Sequence, residues 1–89
     1  MIKTYRSKDG LHYFTFRFKR TFGGVEVYCT RHPSLMGRDS DPHKTHLFRS
    51  GRICFTAGGR PRTQGRAEQL AGQWAEYYLE YRRSGRVQS

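Results

Sequence analysis

The sequence predicts a small α+β domain, an antiparallel β-meander packed against one C-terminal amphipathic helix with a long central loop between them. Three observations carry this. Apolar and polar residues alternate from His12 to Phe18 and again from Val25 to Thr30, the period of half-buried strands. Apolar residues then recur at spacings of three and four from Ala67 to Tyr81, the period of a helix with one apolar stripe. The 89 residues leave room for one domain, so both patterns close over a single core. We divide the chain into a meander over residues 1–30, a loop region over 31–65 and a helix over 66–84.

Ile2 to Arg6 alternates weakly and reads as a short first strand. Ser7-Lys8-Asp9-Gly10 follows, and an Asp-Gly pair between apolar stretches signals a hairpin. In the second strand Phe14, Phe16 and Phe18 share one face, opposite Tyr13, Thr15, Arg17 and Lys19. Phe22-Gly23-Gly24 turns the chain, and Val25, Val27 and Cys29 then share a face opposite Glu26, Tyr28 and Thr30. From Arg31 to Arg52 periodicity disappears among Pro33, Pro42, His32, His43, His46 and many charges. Loops of this length in small domains are usually functional or mobile. Ile53-Cys54-Phe55 is a brief apolar island, and Ala57 to Gly65 is a glycine-rich stretch carrying Arg60 and Arg62. In the helix Ala67, Leu70, Ala71, Trp74, Tyr78 and Tyr81 form the stripe, Thr63 is the N-cap candidate and Gly85 the stop. Tyr77 lies off the stripe and is expected at the surface, as are Glu76 and Glu80.

Lys and Arg number 17 against 7 Asp and Glu, a formal charge of +10. That balance implies an acidic partner, nucleic acid or an acidic protein surface. Six Phe, six Tyr and one Trp exclude a disordered basic tail, since such tails are poor in aromatics. No apolar run approaches the ~18 residues of a membrane span, and no N-terminal apolar block reads as a signal peptide. The expectation is a cytoplasmic protein without a membrane partner, in which Cys29 and Cys54 are reduced thiols.

The stretch His46-Leu47-Phe48-Arg49-Ser50-Gly51-Arg52-Ile53-Cys54-Phe55 resembles the active-site segment of ubiquitin-conjugating enzymes. There a His-containing turn leads through a short loop and a Gly to Ile-Cys, whose Cys carries the modifier as a thioester. Trp74 to Gly85 is similar to the helix ending in Thr/Ser-Gly that follows the Cys in bacterial members, and His32-Pro33 and Asp41-Pro42-His43 fall where the family has its proline turns. The resemblance covers about residues 25 to 86 and implies a minimal, truncated ubiquitin-conjugating-like (UBC-like) fold of bacterial or phage type. It further implies Cys54 as nucleophile, His46 as the residue that shapes the active-site turn, and a ubiquitin-like modifier with its activating enzyme as partners. The chain contains no Asn, so the family's usual oxyanion donor is missing. Losing one such donor costs ~10² to 10³ in rate.

The residues around Cys54 can also be read by themselves. A thiolate is the working form of Cys, and nearby cations favour it. Arg49 and Arg52 precede Cys54, Arg60, Arg62 and Arg66 follow it, and no acid lies between Asp41 and Glu68. By alternation Ile53 and Phe55 share a face and Cys54 points the other way, although a small Cys between two apolar residues also suits a core. No cofactor is required by this reading. Zinc is the alternative, since Cys29, His32, His43, His46 and Cys54 supply five soft or borderline ligands, but their spacing matches no standard finger. Gly58-Gly59-Arg60 lacks the Gly-Lys-Ser/Thr that would make it a phosphate loop. The non-enzymatic alternative is a basic module. Basic residues alternate with aromatics in the first hairpin (Tyr5, Arg6, Tyr13, Arg17, Lys19, Arg20), Arg60, Arg62 and Arg66 form a second cluster, and Arg49 and Arg52 join them as residues able to meet phosphates or an acidic protein.

Overall fold

The computed structural model describes residues 1–55 and 60–87, with three strands followed by two helices. Strands β1 (Ile2–Arg6), β2 (Tyr13–Thr21) and β3 (Gly24–Arg31) form one antiparallel sheet in sequence order. Phe14, Phe16, Phe18, Val25, Val27 and Cys29 are buried on one face, the face the alternation selects. Gly10, at φ 76°, turns the first hairpin, and buried Ser7 accepts the His12 N–H at 3.0 Å. The outer edge of β3 gains partners that the sequence does not announce. Cys29 N–H donates to Gly51 O at 2.7 Å, Ile53 N–H to Val27 O at 2.8 Å and Val25 N–H to Pro61 O at 2.7 Å. The exposed ladder of an edge strand is thereby satisfied.

Helix α2 (Gln64–Ser84) starts two residues before the expected Arg66. Thr63 caps it, its hydroxyl accepting the Arg66 N–H at 3.2 Å, and the helix begins directly after the cap. Gly85, at φ 75°, closes it by donating to Tyr81 O at 2.7 Å. Ala67, Ala71, Trp74, Tyr78 and Tyr81 are buried as the stripe predicts, Leu70 is half-buried, and Ala75 joins the core. Small alanines let the helix approach the sheet, where Phe14 meets Trp74 and Tyr78 edge-on at 5.9 and 5.7 Å. Such aromatic pairs add about 0.5–1.5 kcal/mol each beyond their buried area. Glu76 does not simply face solvent, because its carboxylate accepts from the Tyr5 hydroxyl and from Lys8 N–H.

The long loop region contains a single helical turn, α1 (Pro42–Thr45), where no periodicity could announce one. Asp41 caps it through the His43 N–H at 2.9 Å, Pro42 presets the first turn, and His46 ends it in the left-handed region at φ 56°. The rest of the region is tied down by α2. Trp74 Nε1 donates to Thr45 O at 2.9 Å, the Tyr81 hydroxyl to Asp39 O at 2.7 Å, the Tyr78 hydroxyl to Pro33 O and the Tyr77 hydroxyl to Lys44 O. Tyr77, expected at the surface, is therefore half-buried against the loop. Arg38 answers from the other side, donating to the Arg82 and Arg83 carbonyls at the end of α2. Of the glycine-rich stretch, Ala57, Gly58 and Gly59 lie outside the described residues. Among those described, no helix is long and apolar enough to cross a membrane.

The core holds two weak acids whose protons are trapped by burial. Burial pushes the Cys29 thiol up to about 12, and a backbone hydrogen bond with Arg31 offsets only part of that rise. Burial also pushes the Tyr78 phenol up to about 12, aided by Cys29 and opposed by Arg82. In the unfolded chain these groups ionise near ~8.5 and ~10. A pKa raised on folding contributes stability that is complete below the unfolded value and lost as pH rises toward the folded one. The melting temperature should thus fall steadily between pH 9 and 12, and Cys29→Val should flatten the lower part of that fall. A native profile that is level over this range contradicts the packing described.

Candidate functional site

Residues 46–54 are built as a small hairpin laid on the edge of β3. Leu47 and Ile53 pair across it, Phe48 N–H donates to Arg52 O and Gly51 N–H to Phe48 O, both at 2.9 Å. Gly51 sits at φ 91°, and a Cβ there would lie 3.2 Å from Cys29 O, so the turn can press against β3 only with glycine. Ile53 enters the core at 3% exposure, while Cys54 stays half-exposed. The left-handed turn at His46 aims its carbonyl at the incoming chain, and Cys54 N–H donates to it at 2.8 Å. The His46 ring packs on Tyr77, centroids 5.2 Å apart. The pair that sequence reading singled out, Cys54 and His46, is therefore in direct backbone contact.

Cys54 lines a cavity of about 330 Å³ together with Phe48, Phe55, Val25 and three charged residues, Glu26, Arg52 and Arg60. The Glu26 carboxylate lies between the two guanidinium groups, 3.2 Å from Arg52 and 3.3 Å from Arg60, and accepts from the Tyr28 hydroxyl at 3.2 Å. Burial raises the Glu26 carboxyl, but the hydrogen bonds from Arg52 and Tyr28 and the charges of Arg60 and Arg52 outweigh it and hold it below its ordinary value. Arg52 also lies over the Phe48 ring at 5.1 Å.

The cationic field drawn from the sequence needs correction here. Between Asp41 and Glu68 the chain has no acid, yet the fold inserts Glu26 from β3 beside Cys54. Of the five arginines counted toward the thiol, Arg52 and Arg60 reach its cavity, and both are paired. Arg49 lines a separate cavity with His32 and Asp39. Arg62 and Arg66 are exposed near the start of α2, where Arg66 bonds Gln69. Arg17, Lys19 and Arg20 are exposed on β2, and Arg17 covers the Tyr28 ring at 4.6 Å. Glu26 and Phe48 were missed by sequence reasoning. Finding Glu26 requires knowing that residues 51–53 pair with β3, a contact without a sequence signature.

The candidate zinc ligands are dispersed. Cys29 is buried with its Sγ on Arg31 O, the His32 ring is engaged by Tyr78, and His43 is exposed within α1. Among the described residues no three His, Cys, Asp or Glu side chains converge to hold a metal ion. No family model, curated protein or solved structure matches the chain.

The two cysteines are thus free and unequal. At pH 8 iodoacetamide should label Cys54 in the folded protein and leave Cys29 unlabelled until urea unfolds it, as read by peptide mass spectrometry. Equal labelling of both, or of neither before unfolding, contradicts the arrangement.

Proposed function

We propose that this chain is a minimal UBC-like domain that carries a modifier's C-terminal carboxyl as a thioester on Cys54. The observation behind this reading is the contact between Cys54 and His46: an accessible thiol whose own backbone N–H is fixed by the turn residue that the family resemblance names. The antiparallel meander and the helix ending at Ser84-Gly85 agree with a truncated form of that fold. Two free thiols suit a reducing compartment, so we assign the reaction to the cytoplasm.

The chemistry is two acyl transfers. The Cys54 thiolate attacks the modifier's thioester carbonyl on its activating enzyme, a new C–S bond forms, and the activating enzyme's thiolate leaves. An acceptor amine then attacks the same carbonyl, the C–S bond breaks, the amide forms, and the amine's proton passes to water while Cys54 leaves as thiolate. Each attack puts negative charge on the carbonyl oxygen, which must be met by donors already in place. The family's Asn is absent, and Arg52 and Arg60 take over its task in this reading. A guanidinium has five N–H donors, and Glu26 uses only part of them while fixing both groups beside Cys54. His46 acts as a positioning residue through its carbonyl.

A peptide thioester ending in glycine, offered in place of the modifier, tests this. The acyl group should move to Cys54, be absent from Cys54→Ala, and persist in Cys29→Ala. From Cys54 it should pass to free lysine faster than from glutathione, and Arg60→Gln should slow that step by about 10²-fold. An acyl group that reaches lysine no faster than from glutathione would overturn the reading.

A further inference from the structure

Helix α2 covers one face of the sheet, and among the described residues no element packs on the other. This open face is organised in a way the sequence does not show. The strand register lines up Ile2 with Arg17, Arg17 with Tyr28 and Tyr28 with Arg52, one row running across the whole sheet onto the Cys54 hairpin. Within it the Arg17 guanidinium lies 4.6 Å from the Tyr28 ring centroid. A second pair repeats the theme, with Arg6 across from Tyr13 and its guanidinium 5.9 Å from that ring. Tyr13 is 55% exposed, and Phe22, in the β2–β3 turn at the other end of β2, is fully exposed. Large rings held in water at a cost are suited to a flat partner.

The acids lie mostly away from the open face. Of the seven acids, Glu68, Glu76 and Glu80 lie on α2, Asp9, Asp39 and Asp41 lie in connecting segments, and Glu26 alone stands on a strand. Glu26 is already neutralised by Arg52 and Arg60. The open face is left with Arg6, Arg17 and Lys19 beside exposed rings, and cations interleaved with stacking planes are the chemistry of single-stranded nucleic acid. A duplex keeps its base faces stacked inside, out of reach of exposed rings, whereas a single strand offers them. We infer that the open face of the sheet binds single-stranded nucleic acid, with bases stacked on Tyr13 and on the Arg17–Tyr28 pair and phosphates held by Arg6 and Lys19. This surface is independent of the thioester reading.

Fluorescence anisotropy with labelled dT12, rU12 and a 12-base-pair duplex tests it. The single strands should bind more tightly than the duplex and lose about 10-fold in affinity between 50 and 200 mM salt, as for two or three phosphate contacts. Tyr13→Ala and Tyr28→Ala should each weaken binding about 10-fold with the salt slope unchanged, as expected for lost stacking. Arg17→Ala should weaken it and lower the slope, whereas Arg83→Ala, which removes the same charge at the end of α2, should stay within twofold. Circular dichroism confirms that each variant is folded, and Cys54→Ala should bind as the native chain does. Equal affinity for the duplex, competition by polyglutamate as effective as by dT12, or indifference to both tyrosine substitutions would overturn the inference. The second of these outcomes would mark an acidic protein as the occupant.

Discussion

The structure depends on hydrogen bonds from the aromatic heads of α2 to carbonyls of the central segment. Trp74, Tyr77, Tyr78 and Tyr81 present apolar bodies to the core or its rim and polar tips to Thr45, Lys44, Pro33 and Asp39. Among the described residues no further element covers the central loop, so its carbonyls are satisfied from below. Trp and Tyr suit this work because one side chain fills core volume and donates a bond at its far end. The choice of Tyr over Phe on the helix is therefore a statement about the loop rather than about the core.

From this constraint the site follows. The bonds to Lys44 and Thr45 fix α1, α1 ends at His46 in a left-handed turn, and the His46 carbonyl receives Cys54 N–H. On the other side Ile53 is locked to β3 and the core. Cys54 is thus held from both directions without being buried. The companion thiol shows the contrast: Cys29, on a strand facing the helix, is sealed in the core. Position relative to the sheet face, not residue type, separates a structural thiol from an accessible one.

Much of this was legible in the residues. Alternation in β2 and β3 assigned the buried phenylalanines and valines, and Thr63 and Gly85 marked the ends of α2 because capping is local chemistry. What stayed hidden was non-local. Glu26 reads as an ordinary solvent-facing strand residue until residues 51–53 are known to pair with β3 and bring Arg52 to it. The row Ile2–Arg17–Tyr28–Arg52 likewise exists only in the register. Tyr77 falls off the apolar stripe, and its role is set by a carbonyl 33 residues away. The turn α1 is too short for any periodicity, although Asp41-Pro42 carried its capping signal.

The most direct measurement of this account is native-state hydrogen exchange on the double variant Trp74→Phe, Tyr81→Phe. It keeps an aromatic ring at each position, the one at 74 smaller than the indole it replaces, and removes two donors, leaving two carbonyls short of a partner at about 1–3 kcal/mol each if they stay buried. The account predicts exchange at the His46 and Cys54 amides at least about 10-fold faster than in the native chain, with the β1–β2 amides still protected. If protection is lost uniformly across the sheet, or is unchanged at His46 and Cys54, then the aromatic donors of α2 do not hold the Cys54 segment in place.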